Sequence, residues 1–216
     1  MKYYLSSYRV GEHGRKLAEY VGSHQLALIP NALDHIPENE QAAAIQRNLN
    51  DLQEVGVRAE LLDLRDFFVT PERLREHLLR FAGVWITGGN TFVLRQAMRL
   101  SGFDQVIHEM KDTPFLYAGY SAGICVLAPD LRGIQIVDDP GQLPYPQIKE
   151  PIWEGLKLLD YIILPHFRSN HPESAAIERD VQRCRIERIP FRTLSDGEVL
   201  YGENLEAIRR SIELTP

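Results

Sequence analysis

The chain has 216 residues, 44% hydrophobic and 25% charged, with a formal net charge of -6. That length supports one sizeable core, so a single domain over residues 1–216 is expected, and the acidic balance with scattered Lys and Arg excludes a basic nucleic-acid-binding face. Cys125 and Cys184 lie far apart without metal-ligand spacing and neither reads as a ligand, and no leader-like start or run of ~18 apolar residues occurs; a cytoplasmic protein with no membrane partner is expected.

Residues 3–8 read as a short aromatic strand, and 14–21 carry Leu17, Ala18 and Val21 at helical spacing. Leu26-Ala27-Leu28-Ile29 is a second strand, closed by Pro30 and Asn31. Residues 37–55 have the clearest helical period, with Ala42, Ile45, Leu49 and Leu52 on one face and Gly56 as the stop. A strand over 58–64 follows. Thr70 then caps a helix begun by Pro71, with Leu74, Leu78, Leu79 and Phe81 as its buried stripe. The strand 83–87 runs into the turn Gly88-Gly89-Asn90-Thr91 and into helices over 92–100 and 103–110. The apolar strand 114–118 hands over at Gly119-Tyr120-Ser121-Ala122-Gly123 to a helical stretch, 124–128.

Residues 131–151 are rich in Asp, Pro and Gly without helical period, which predicts a long excursion over the surface beside the active edge. The strand 158–164 delivers Pro165-His166-Phe167, residues 173–186 read as a helix, and 191–194 lead through the turn Ser195-Asp196-Gly197-Glu198 to Val199-Leu200-Tyr201. Alternating strands and helices with short connections specify parallel βαβ units, a doubly wound α/β sheet with helices on both faces. Both glycine turns end strands, so both fall on the edge where open α/β sheets bind ligands.

Ser121 between small residues at a strand-to-helix turn has the sequence form of a nucleophile elbow; the competing reading is a helix N-cap. A serine hydroxyl needs a base to take its proton, commonly an imidazole steadied by a carboxylate. Five histidines, His13, His24, His35, His77 and His108, fall in helices or polar loops. His166 ends an apolar strand on the edge where Ser121 emerges, with His171 close behind. The acid is sought in the turn after 194, where Asp196 is favoured over Glu198, although Asp-Gly also serves turns with no catalytic reason. Attack on an amide creates an oxyanion that needs two free N–H donors, for which Ala122 and Gly89 are placed; Asn90 or Thr91 would otherwise cap the next helix. The order serine, histidine, acid differs from that of the α/β-hydrolases.

Gly88-Gly89-Asn90-Thr91-Phe92, Gly119-Tyr120-Ser121-Ala122-Gly123 and Leu164-Pro165-His166-Phe167, in this order, resemble the peptidase E family of serine dipeptidases (aspartyl dipeptidases). The resemblance implies a three-layer α/β/α sandwich with a mainly parallel sheet, like class I glutamine amidotransferases and the flavodoxin-like folds. It also implies a Ser-His-acid triad, no metal or other cofactor, and hydrolysis of short peptides, in the best-known members after an amino-terminal aspartate. Ser121 and His166 match the nucleophile and base, and Gly89 and Ala122 the oxyanion donors. Asp196 stands where the dipeptidases carry a glutamate. An acid about fifteen residues beyond the serine has no clean match, since Ile136 falls there with Asp138 and Asp139 nearby. Arg168 is placed to pair a substrate carboxylate, or else is a solvated surface arginine. A small peptide is the expected partner of a monomer or homodimer. The alternatives are a cyanophycinase-like hydrolase of β-aspartyl peptides and a non-catalytic binding protein on the same fold.

Overall fold

Alternate residues of each central strand face opposite apolar clusters, and this sets the layering. Tyr3, Leu5, Ile29, Val84, Ile86 and Tyr117 belong to one cluster; Tyr4, Leu26, Leu28, Trp85, Leu116 and Ala118 belong to the other. Strands covered on both faces read as continuous apolar runs, as Leu26 to Ile29 does. The computed structural model describes residues 1–210, so the last six residues of the expected domain lie outside the described residues.

The strands are β1 (Lys2–Ser6), β2 (Gln25–Ile29), β3 (Arg58–Leu61), β4 (Gly83–Ile86), β5 (Leu116–Tyr120), β6 (Ile162–Leu164), β7 (Phe191–Thr193) and β8 (Val199–Gly202). Six of them form one sheet in the order β3-β2-β4-β5-β1-β8, parallel except for β8, which runs antiparallel to β1. Helices α1 (Gly14–Val21) and α2 (Glu38–Glu54) supply Leu17, Val21 and Leu52 to one face of the sheet. Helices α3 (Leu74–Leu78), α4 (Thr91–Leu100) and α5 (Phe103–Glu109) supply Leu74, Leu78, Val93, Met98, Phe103 and Ile107 to the other. The result is the expected three-layer α/β/α sandwich with a mainly parallel sheet. No helix among the described residues is long and apolar enough to cross a membrane.

Several local expectations are corrected. The buried stripe of α2 is Ala44, Asn48, Asp51 and Leu52, while Ala42 is exposed and Ile45 and Leu49 are only partly covered. Apolar counting misses this stripe because its polar members are satisfied inside the protein: Trp85 Nε1 donates to Asn48 Oδ1 at 3.0 Å, and Arg9 Nε to Asp51 Oδ2 at 2.6 Å. Leu79 is 56% exposed, and the Thr70 side chain caps nothing, because the chain first makes a 3-10 turn, Pro71–Arg73, before α3. Strand β3 is shorter than expected and largely exposed, as suits an outer strand.

The largest departure concerns residues 158–164. Only Ile162–Leu164 are strand, and β6 pairs in parallel with β7 in a separate two-stranded sheet. Helix α7 (Ser174–Glu187) covers it, with Ile177, Val181 and Cys184 packed on Ile162 and Leu164. The histidine-bearing loop therefore belongs to a small second layer set against the active edge. The helix after Ser121, α6 (Ala122–Cys125), is a single turn of four residues.

Candidate active site

Ser121 has φ 48° and ψ -115°, a conformation disfavoured for any side chain with a Cβ. Its hydroxyl makes no cap bond to α6, which removes the N-cap reading. Instead Ser121 Oγ lies 3.1 Å from His166 Nε2, and His166 Nδ1 lies 2.7 Å from Asp196 Oδ1. A carboxylate only accepts, so Nδ1 carries the proton and Nε2 is left with a lone pair facing the hydroxyl. An imidazole held in that tautomer can take the proton of an attacking serine. Burial is the main influence on His166 and lowers its pKa below the ordinary imidazole value, against the upward pull of its bond to Asp196. The ring is thus neutral, and ready to accept, at physiological pH.

The glycines of the elbow permit close packing of backbone. A Cβ on Gly119 or on Gly123 would come within 2.6 Å of the Ile86 carbonyl oxygen, so both are needed for β5 and α6 to press against β4. Gly89 is constrained twice: its φ is 138°, and a Cβ would meet the Ala32 carbonyl oxygen at 2.5 Å. Among the described residues neither the Gly89 N–H nor the Ala122 N–H is taken up by a hydrogen bond, and Gly89 lines the cavity into which Ser121 opens.

Asn90 keeps the capping role: its Oδ1 accepts from the N–H groups of Phe92 (2.9 Å) and Val93 (3.0 Å), and its Nδ2 donates to the Asp139 carbonyl at 2.9 Å. Beside it, the Thr91 N–H donates to Asp138 Oδ2 at 2.9 Å. These bonds fasten the 131–151 excursion to the start of α4 and make Val137, Asp138 and Gln142 a wall of the cavity. Burial pushes the Asp138 carboxyl up to about 6. Glu198 is exposed and accepts the Ser195 N–H within its own turn, so of the two acids in that turn it is Asp196 that faces the histidine. Arg168 lies outside the cavity, its guanidinium 5.0 Å from the Phe167 ring centre, and Arg47 of α2 is the guanidinium in the lining. Cys125 is buried in the core, its Sγ 3.7 Å from the Ile163 carbonyl.

Three site residues escape the sequence reading, and a fourth, His171, is noted there only as close behind His166. Ser7, fully buried just past β1, accepts the His166 N–H at 2.9 Å and places its hydroxyl 3.0 Å from Asp196 Oδ1, joining base and acid to the main sheet. Tyr8 sets its ring edge-on to His166 and His171 at 5.9 and 5.6 Å. His171 stacks on His166 with centroids 3.7 Å apart and planes 7° from parallel. Glu173 puts a carboxylate oxygen 4.0 Å from His166 Nε2. The Ser7 signal was present, since a serine pair ends a strand on the same edge, but nothing local points it at a histidine 159 residues away.

His166, His171 and Glu173 have ligand atoms within 4.8 Å of one another, a grouping worth testing as a metal site. Stacked, parallel imidazoles direct their in-plane lone pairs side by side rather than toward one point, His166 Nε2 faces Ser121, and His171 Nδ1 accepts the Glu173 N–H at 3.3 Å. The arrangement does not fit a shared ion.

A parallel α/β sheet that presents a serine on a strained turn within reach of a buried, neutral histidine defines the class: a serine hydrolase. Residues 10–209 match peptidase family S51, and the chain belongs to that family of serine peptidases. It is 31% identical to an uncharacterized peptidase of Listeria monocytogenes over 74% of this chain and 75% of that one. It is 35% identical to an uncharacterized peptidase of Listeria innocua over 59% of this chain and 58% of that one, so the chain spans less than two thirds of this relative's length. In fold it is similar to the crystal structure of a candidate peptidase E protein from Listeria monocytogenes EGD-e, with a TM-score of 0.74, 22% identity and 93% of each chain covered. It is also similar to a peptidase from an acI-B1 Actinobacterium, with a TM-score of 0.66, 17% identity, and 93% of this chain and 82% of that one covered.

Proposed function

We propose that the protein hydrolyses dipeptides or other small peptides through a covalent acyl-enzyme, with Ser121 as nucleophile, His166 as general base and acid, and Asp196 as the group that orients His166. Ser121 Oγ attacks the scissile carbonyl as its proton passes to His166 Nε2. The tetrahedral oxyanion is held by the N–H groups of Gly89 and Ala122, and collapse expels the amine with the proton from His166. Water, activated by the same imidazole, then cleaves the ester and restores the serine. The cavity volume of about 480 Å³ suits a short peptide rather than a folded chain.

The observation that carries this reading is the 3.1 Å contact between Ser121 Oγ and His166 Nε2, made by a hydroxyl that caps no helix. A preference for an amino-terminal aspartate gains no support from Arg168, which is outside the cavity, and Asp138, Asp139 and Glu173 are acidic members of the lining. The decisive experiment measures turnover of a dipeptide panel by the wild type and by Ser121→Ala, together with labelling by a fluorophosphonate. Expected are a mass increment on Ser121 and a loss of turnover of about a thousandfold or more in the variant. Undiminished turnover by Ser121→Ala overturns the mechanism, and an unlabelled, inactive wild type favours a non-catalytic binding protein.

A further inference from the structure

Glu173 is a half-buried carboxylate with no assigned task. It stands immediately before α7, yet its side chain makes no cap bond to that helix, and among the described residues its carboxylate accepts no hydrogen bond. A carboxylate drawn partly out of water and given no donor costs free energy, so its place is worth keeping where a donor arrives from outside. It lines the same cavity as Ser121, with Oε2 4.0 Å from His166 Nε2, the very atom that faces the nucleophile. Its N–H donates to His171 Nδ1 at 3.3 Å, which ties the start of α7 to the histidine stacked on His166.

In an amino-terminal residue the amino nitrogen is two bonds from the carbonyl carbon. A carbonyl carbon within attack distance of Ser121 Oγ lies near His166 Nε2, so its amino nitrogen is within reach of the Glu173 carboxylate, 4.0 Å from that ring nitrogen. We propose that Glu173 anchors the free α-ammonium of the residue whose carbonyl Ser121 attacks, and so confines cleavage to the first peptide bond of the substrate. The inference rests on the serine-peptidase reading above and deepens it. A residue further inside a chain carries a neutral amide at this place and continues toward Glu173, so it meets a carboxylate it cannot neutralise. Burial, with Asp138 and Asp196 nearby, raises the Glu173 pKa to about 7, which agrees with a site that lacks its counter-cation until substrate enters.

The test separates binding from turnover. In the Ser121→Ala protein, calorimetry compares Ala-Leu, N-acetyl-Ala-Leu and N-acetyl-Lys-Leu, and repeats the series with Glu173→Gln and Glu173→Asp added; thermal melts verify that each variant is folded. Expected are a loss of affinity of at least about tenfold on acetylation, disappearance of that gap with Gln, and its partial retention with Asp. Equal affinity for the free and acetylated dipeptides, a gap that survives Glu173→Gln, or no dipeptide binding at all overturns the proposal. Tight binding of N-acetyl-Lys-Leu also overturns it, by assigning the carboxylate to a side-chain cation. If Glu173 instead steadied the imidazolium of His166, then in the Ser121-intact enzyme Glu173→Gln would lower kcat equally for free and blocked substrates, and the amine would make no difference. Fluorophosphonate labelling of Ser121 is scored separately: labelling without amine discrimination sinks the anchor alone, and amine discrimination without labelling sinks the catalytic reading alone.

Discussion

A single hydroxyl, that of Ser7, ties together the residues of the proposed mechanism. It accepts the His166 backbone N–H and contacts the Asp196 carboxylate and the Leu194 carbonyl, three groups brought from parts of the chain far from β1. His166 is itself held at φ 60°, so the ring sits on a backbone that departs from ordinary conformations, and such strain persists only where the surroundings over-determine it. Replacing Ser7 by Ala leaves a buried N–H without a partner. We expect Ser7→Ala to lose about 1–3 kcal/mol of stability in denaturant titration and to lower kcat by roughly tenfold to a hundredfold, with KM little changed. Unchanged kcat would show that Asp196 alone suffices to position the ring.

At the level of elements, the elbow is built by close packing as much as by its turn. Strand β5 and the one-turn α6 both lie against the Ile86 carbonyl of β4, and Gly119 and Gly123 are the residues that permit it. Alanine is the better helix former by about 1 kcal/mol, yet a Cβ on Gly123 would sit 2.6 Å from backbone oxygen and 3.1 Å from the Ile86 Cβ. We expect Gly123→Ala to be net destabilising, by about 1–3 kcal/mol, with the midpoint of urea unfolding lowered and its slope unchanged. A neutral or stabilising result would mean that α6 can move away from β4 without cost. Elements also mark where sequence reading stopped short. The buried stripe of α2 departs from its apolar period because Asn48 and Asp51 are buried through partners outside the helix, Trp85 and Arg9, which no periodicity within the helix reveals.

At the level of the whole molecule, the site exists because two layers meet. The main sheet brings Ser7, Gly89 and Ser121 to one edge; the small β6–β7 sheet with α7 brings His166, His171 and Glu173; and the turn between β7 and β8 brings Asp196. Burial between these layers lowers the pKa of both His166 and His171. The base must be neutral to accept the serine proton, so activity is lost as pH falls through the folded-state pKa of His166. That value lies below the ordinary imidazole value of 6.5. We expect the acid limb of the kcat profile, measured with saturating substrate whose ammonium keeps Glu173 ionised, to fall below pH 6.5; a limb centred above it would mean that Asp196 outweighs burial. The same shifts carry a stability cost in acid. An unfolded chain protonates these histidines near 6.5 before the native one does, so their contribution to stability declines as pH drops from there toward the lower folded values.

The sequence by itself determined the alternation of strands and helices, the parallel sheet, and the nomination of Ser121, His166 and Asp196. These are legible because hydrophobic period and glycine turns act over a few residues, and because chemistry restricts which residue types can serve. Only the tertiary structure decided that the Ser121 hydroxyl is free of the helix it precedes, that Asp196 rather than Glu198 faces His166, that Arg168 stands apart from the cavity, and that Ser7, Tyr8, His171 and Glu173 surround the base. The physical reason is distance along the chain: the contact from His166 to Ser7 spans 159 residues and that to Ser121 spans 45. Contacts of that span are settled by how layers pack, and local pattern carries no record of them.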